Sequence, residues 1–451
     1  MTDDKQATAA SDKSMWKALL NKRMLICVFI GFSSGLPLYF LIQMVPAWMR
    51  DMKINLKTIG LFGLVMMPYT WKFLWAPALD RIMLPLLGRR RGWMLVTQIL
   101  LMLGMGAVGM FSPKESLWTV VILAVAVAFF SATQDVVIDA YRREILPDEE
   151  LGLGSSIHVN AYRVAGLIPG GLALIMADHM PWSMVYIAVA ACMVVGIINT
   201  LLIAHEPVIY GEPPRNFKEA VIEPFTEFFK RRGVGSAILV LAFMFFYKFG
   251  DSMATALITP FYLDVGFSKE QIGAVAKLVG LWSMIIGGMI GGLIMYRIGI
   301  NKSLWIFGVV QMVSILGFAV LNEVGPNVWM LGAAVAFEYL GVGLGTAAFV
   351  AYMARESNQR FTATQYALFT SFMGTTRLVT SASAGFLIEG WKDGPVGSSF
   401  AGLGYTNFFI FCTFLAIPGM LLLFKVAPWG ESDDTPAGSG SKESEEAAPE
   451  G

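Results

Sequence analysis

Asp135 and Asp139 stand four residues apart in the stretch Phe129-Phe-Ser-Ala-Thr-Gln134-Asp135-Val-Val-Ile-Asp139-Ala-Tyr-Arg-Arg-Glu144. One helical turn separates them, so they share a face. The stretch closes an apolar run that begins near Leu117, which makes it the second half of a membrane-spanning helix. A carboxylate at bilayer depth costs at least about 2.5–3.5 kcal/mol on insertion scales, so it pairs with a cation or lines a wet cavity. The chemistry open to it is reversible protonation. Asp135 reads as the carrier of a coupling proton, with Asp139 its neighbour nearer the cytoplasmic rim. The plainer alternative is that either acid only holds helices in register.

Further ionisable residues fall inside apolar stretches: Lys72, Arg163, Lys248, Asp251, Lys277, Glu338 and Arg377. Each is a candidate for function by its placement, with a partner to be named. Counting inward from the helix ends places Arg163 at the depth of Asp135 on the next helix, so an Asp135–Arg163 pair is expected. Lys248 and Asp251 are three apart and can meet on one face. Glu338 is near mid-depth, within reach of Arg377 or Lys248. Tyr39, Gln43 and Tyr247 offer aromatic or polar faces to a sugar ring, although an aromatic inside a helix is more often packing. No nucleophile–base set stands out, so an enzyme is not expected. His158, His179 and His205 are scattered, and Cys27, Cys192 and Cys412 lack metal-site spacing, so no metal is expected.

The elements that carry these residues are membrane spans. The chain has 451 residues, is 56% hydrophobic and only 15% charged, against roughly 25% charged in soluble domains. Its formal net charge is zero, which argues against nucleic acid as a partner. Apolar runs long enough to span a bilayer fall near 24–45, 58–79, 93–112, 117–141, 156–177 and 183–204. They resume near 235–262, 270–296, 303–322, 328–353, 362–387 and 405–426. About twelve spans in an all-α membrane protein are predicted. The first run is too long for a signal-peptide core and is expected to be retained.

Arg81, Arg89, Arg90, Arg91, Arg142, Arg143, Arg215, Lys218, Lys230, Arg231, Arg232, Arg297, Lys302, Arg355 and Arg360 all fall on one side of this layout, which also holds both termini. Both termini are therefore expected in the cytoplasm. Ile59-Gly60 matches Ile272-Gly273, Asp139-Ala140-Tyr141 matches Val350-Ala351-Tyr352, and Arg163-x7-Gly171 matches Arg377-x7-Gly385, at offsets of 213, 211 and 214 residues. Two parallel six-helix pseudo-repeats follow. The expected division is a cytoplasmic segment 1–23, a six-helix bundle 24–204, a cytoplasmic linker 205–234, a second bundle 235–426 and a disordered tail 427–451. The linker reads equally as a plain connection or an amphipathic surface helix.

The loop Asp80-Arg81-Ile-Met-Leu-Pro-Leu-Leu-Gly88-Arg89-Arg90-Arg91 resembles the D-R-x-G-R-R signature of the major facilitator superfamily, widened by an insertion. A weaker echo is Tyr296-Arg297-Ile-Gly299-Ile-Asn301-Lys302. The resemblance implies a major facilitator fold, with Asp80, Arg81, Arg89, Arg90 and Arg91 as a gating loop. Longer blocks are similar to AmpG-type muropeptide permeases: Gly31-Phe-Ser-Ser-Gly-Leu-Pro37, Pro68-Tyr-Thr-Trp-Lys72-Phe-Leu-Trp-Ala-Pro77, Phe130-Ser-Ala-Thr-Gln134-Asp135, Tyr247-Lys248-Phe-Gly-Asp251, Gly345-Thr-Ala-Ala-Phe-Val-Ala351 and Ala363-Thr-Gln365-Tyr-Ala-Leu368. That family implies proton-driven import of anhydro-muropeptides (GlcNAc-anhydro-MurNAc with or without peptide) through the bacterial inner membrane. It also implies a place in peptidoglycan recycling and an indirect link to β-lactamase induction. Some family members carry two further C-terminal helices.

On this reading Asp135 and Asp139 couple protons. Gln134, Arg163, Tyr39, Gln43, Tyr247, Lys248, Asp251, Lys277, Glu338 and Arg377 line the substrate site. The proton gradient supplies energy without a cofactor, and a monomer in the lipid bilayer is expected. The alternatives are a siderophore or other drug-sized solute permease on the same scaffold, and a membrane receptor that binds muropeptides without moving them.

Overall fold

The structure is a computed structural model that describes residues 21–54, 56–85, 87–208, 217–268, 271–390 and 401–430. Most of the expected N-terminal segment, part of the linker and most of the expected tail lie outside these residues. Contacts divide the chain into two units: Met1–Pro224 with Ala354–Ser371, and Phe225–Met353 with Phe372–Gly451. The division falls within the expected linker, and one further segment, 354–371, joins the first unit.

The first unit holds α1 (Lys22–Asp51), α2 (56–81), α3 (Arg89–Val108), α4 (Leu117–Ile145), α5 (Asp148–Ala177) and α6 (Trp182–Ile203). Helix α1 contains Pro37, which takes an amide out of the ladder, and a π-turn follows at Phe40–Met44. Helix α2 is not a continuous span. It runs as short α pieces joined by 3-10 turns at Gly63–Met66 and Lys72–Leu74, with Pro68 and Pro77 each near the start of the next piece. Around Tyr186 the rings of Phe40 and Trp48 pack edge-on at 5.3 and 4.9 Å, in a core shared with Leu101, Met105 and Val185.

The crossing of α1 and α5 depends on glycine. A Cβ at Gly31 would collide with the His158 carbonyl, and one at Gly35 with the Tyr162 backbone. Neither neighbour is a flexible side-chain tip, so the backbones themselves would have to part. Gly35→Ala is expected to destabilise the protein by about 1–3 kcal/mol, read as a lower unfolding temperature of the purified protein. Gly374→Ala, which has nothing within 4 Å of the new carbon, is the comparison. Equal effects of the two would contradict the close crossing.

The linker helix (Phe217–Arg232) carries the division between the units. The linker is helical over that range. The second unit holds α7 (Val234–Val265), α8 (272–298), α9 (300–324), α10 (Val328–Glu356), α11 (Thr362–Glu389) and α12 (Gly404–Val426). The last turn of α10 and the first turns of α11 belong to the first unit. Helix α7 lapses at Lys248 and at Leu257, just before Pro260. Its core gathers Phe261, Phe318 and Phe409, with Phe261 and Phe409 at 4.8 Å.

Gly299, between α8 and α9, has φ 81 and ψ 169, and Gly88, before α3, has φ 86 and ψ −168. A side chain strains this backbone, so glycine is required at both. Their spacing of 211 residues (299 − 88) matches the offset of the sequence repeat.

Nine helical stretches among the described residues are long and apolar enough to cross a membrane. One of them, Ile272–Val324, contains the break at Gly299. The expected spans near 58–79 and 362–387 are helical but not among the nine, because α2 is broken and α11 is rich in Thr and Ser. Leu61, Trp118, Leu202 and Trp329 are exposed, while Arg90, Arg142, Gln134 and Glu338 are buried. Apolar outside and charged inside is the arrangement a bilayer selects.

Candidate functional site

In the first unit, α4 presents Asp135 and Asp139 toward α1 and α2. Ser34 of α1 donates to Asp135 Oδ1 at 2.5 Å. Arg142, one turn beyond Asp139, reaches its Oδ1 at 3.2 Å and donates to the Tyr366 hydroxyl at 2.9 Å. Lys72, buried in a 3-10 turn of α2, acts electrostatically on both carboxylates. The set holds two acids and two cations, so it is neutral with both acids ionised (−2 + 2 = 0). Tyr69 donates to Ser131 at 2.6 Å and Trp75 to Thr133 at 3.0 Å. These two bonds fix the broken α2 against α4 and thereby fix Lys72.

The expected Asp135–Arg163 pair does not form. Asp135 takes Ser34, and its charged neighbours are Lys72, Asp139 and Arg142. Arg163 lies in the field of Tyr39 instead, and Tyr39 packs edge-on against Tyr162 at 5.8 Å. Equal depth is not enough when two side chains leave their helices in different directions. Gln134 is fully buried and donates to Ser33 at 3.3 Å, which ties α4 to α1. Gln43 is exposed and lies against Gly170.

In the second unit Lys248 Nζ meets Asp251 Oδ2 at 3.2 Å, as expected. Glu338 is fully buried and bonded to Ser314 at 2.6 Å. Its charged neighbours are Asp251 and Lys248. The alternative partner, Arg377, is not among them and is exposed. Tyr247 is buried, donates to the Leu304 carbonyl at 3.0 Å and stacks on Phe349, which is packing rather than a free ring face. The Lys277 side chain lies outside the described residues.

The expected gating loop forms a buried ion network. Asp80 accepts from Arg90 at 2.8 Å and from the amide and hydroxyl of Thr364 at 2.9 and 2.7 Å. Thr364 lies in the first turn of α11, where free amides favour a carboxylate. Arg90 also meets Glu144 at 2.6 Å, which Arg89 reaches at 3.1 Å. Glu206 receives the amides of Arg90 and Arg91 at 2.8 and 2.9 Å, and so caps α3. Arg91 in turn donates to the Thr200 and Leu201 carbonyls at the end of α6. Arg81 is exposed. The sequence reading missed Ser34, Glu144, Glu206 and Thr364 as partners and gave Lys72 no site role. The Gly31-Phe-Ser-Ser-Gly35 break and the lysine between two prolines were the available signals.

An apolar cavity of about 440 Å³ lies elsewhere in the first unit, between Met49, Leu61, Phe62, Leu117 and Trp118. Leu61 and Trp118 are exposed apolar residues, so this cavity suits lipid better than a sugar–peptide.

Charge held inside membrane-length helices marks a functional site within a membrane protein. The chain belongs to the Major Facilitator Superfamily, whose family model matches residues 27–381. It is 40% identical over 403 residues to the anhydromuropeptide permease of Escherichia coli, a match covering 89% of this chain and 79% of that one. An uncharacterized protein of Haemophilus influenzae is 51% identical over 423 residues, covering 92% and 97%. The crystal structure of the human organic anion transporter MFSD10 aligns with a TM-score of 0.67 at 12% identity, covering 89% of this chain and 99% of that one. The last likeness concerns the fold alone. The family and its relatives are transporters, not enzymes.

Proposed function

We propose that this chain imports anhydro-muropeptides across the bacterial inner membrane, driven by protons, with Asp135 as the coupling group. The named activity of the E. coli relative supports the cargo. The observation that carries the mechanism is the Ser34–Asp135 contact beside Lys72, Asp139 and Arg142. A proton on Asp135 leaves one acid facing two cations, a net charge of +1. A peptide carboxylate of the cargo is attracted to that state. Once the proton leaves, the set is neutral without the cargo and the attraction ends. Proton and anionic cargo therefore favour each other's binding, and opposite access for the two states makes transport directional. Peptidoglycan recycling, and through it β-lactamase induction, would follow from the cargo.

Binding of labelled GlcNAc-anhydro-MurNAc-peptide to the purified protein tests the cargo. Unlabelled muropeptide is expected to displace it and a ferric siderophore is not; displacement by the siderophore alone would overturn the assignment. The arginine-rich loops support a cytoplasmic position for both termini. A reporter fused after Lys425 is expected to be active only as a cytosolic fusion, and periplasmic activity would contradict that topology.

A further inference from the structure

The buried carboxylate oxygens of Glu338 and Asp251 outnumber the hydrogens that reach them. Glu338 and Asp251 act on one another electrostatically. Glu338 Oε2 meets the Ser314 hydroxyl at 2.6 Å, and that hydroxyl also meets the Gln311 carbonyl at 2.9 Å. Ser314 has one hydrogen for these two acceptors, and an ionised carboxylate brings none. Asp251 Oδ2 takes Lys248. Glu338 Oε1 and Asp251 Oδ1 are both buried, and no donor reaches either among the described residues. One proton on Glu338 supplies the missing donor, toward Asp251 or toward Ser314, whose own hydrogen then serves Gln311.

Charge leads to the same conclusion. Two ionised acids against Lys248 give −1 (−2 + 1) in a site where Glu338 is 0% and Asp251 8% exposed. With one proton bound the set is neutral. Buried carboxylates that share a site do not both ionise readily. Among the described residues, the other titratable groups in their field are Tyr247 on α7 beside Asp251, and Tyr262 on α7, Tyr339 on α10 and Cys412 on α12 beside Glu338. None of these supplies a positive charge. The first unit differs, because its two acids already face two cations.

We propose that Glu338 and Asp251 hold one exchangeable proton between them, a second proton-binding site that lies in the second helical unit with Lys248 as its counter-ion. The reaction is simple: a proton from water adds to a carboxylate oxygen of Glu338 and leaves by the same bond breaking. Either acid can carry it, since both face the same lysine. Ser314 offers the first step of a path, because it can accept from Glu338 while donating to Gln311. The site stands on its own contacts, whether or not Asp135 carries the coupling proton. If both operate, two protons rather than one would accompany each cargo.

The test uses infrared difference spectroscopy on the purified full-length protein at neutral pH, with a pH-indicator count of protons taken up after a pH jump. A protonated-carboxyl stretch is expected that disappears in Glu338→Gln and in Asp251→Asn, each of which leaves a single acid against Lys248, and that persists in Asp135→Asn. Glu338→Gln is expected to bind one proton fewer per chain. Should that variant fail to fold, Glu338→Asp is expected to move the band without abolishing it. A wild-type spectrum without such a band overturns the proposal. So does a band unaffected by every change at Glu338 and Asp251, or lost only with Asp135→Asn.

Discussion

Asp135→Asn is expected to abolish gradient-driven accumulation while ligand binding and exchange of bound ligand remain. Asparagine keeps the shape and still accepts from Ser34, but it cannot gain or lose the proton. It also fixes the local set at the charge of the protonated state, +1, which favours anionic cargo. Binding is therefore retained while coupling is lost. The membrane potential supplies roughly 2.3 kcal/mol per charge per 100 mV, so removing one coupled charge removes about a fifty-fold concentration ratio at that potential. Asp139→Asn is expected to be milder, because Asp139 already pairs with Arg142. The readout is labelled cargo in vesicles at imposed pH steps. An Asp135→Asn protein that still concentrates cargo would move the coupling role elsewhere.

Arg90→Ala is expected to have the largest effect on stability. It removes the cation bonded to both Asp80 and Glu144. Breaking a buried pair from one side costs about 3–5 kcal/mol, because a desolvated charge is left behind. Arg89 still reaches Glu144, but Asp80 would keep only its contacts with the start of α11. Lysine is expected to rescue poorly, since a single ammonium cannot reproduce the guanidinium fork. Thermal unfolding of the purified protein should show a large drop for Arg90→Ala and little for Arg81→Ala, whose side chain is exposed. Equal effects would contradict the network.

The fold was legible because bilayer thickness sets span length. The apolar runs that mark the helices also exclude a soluble domain. The repeat was legible from three matched pairs in one frame, and the positive-φ glycines Gly88 and Gly299 fall at a spacing in the same range. The weak points were the helices whose character is not apolar length. Prolines 68 and 77 break α2, and Thr and Ser dilute α11. In the site, spacing along one helix predicted the Lys248–Asp251 pair, since neighbours three apart share a face whatever the surroundings.

Partners on other helices were not legible. Glu206 caps Arg90 from 116 residues away, and Thr364 reaches Asp80 from 284. The Asp135–Arg163 expectation failed for a related reason. Residue counting estimates depth along the membrane normal but not the direction in which a side chain leaves its helix. That direction depends on how α1, α2, α4 and α5 rotate into one another, through contacts such as Tyr69–Ser131 and the close approach at Gly35.

Uptake into proteoliposomes holding only the purified chain tests proton-driven muropeptide import most directly. Labelled anhydro-muropeptide would be supplied outside, with an inward proton gradient imposed by a pH step. The result expected is an internal concentration that rises above the external one and falls back when a protonophore collapses the gradient. Entry that stops at the external concentration whatever the gradient, or binding without entry, would contradict it.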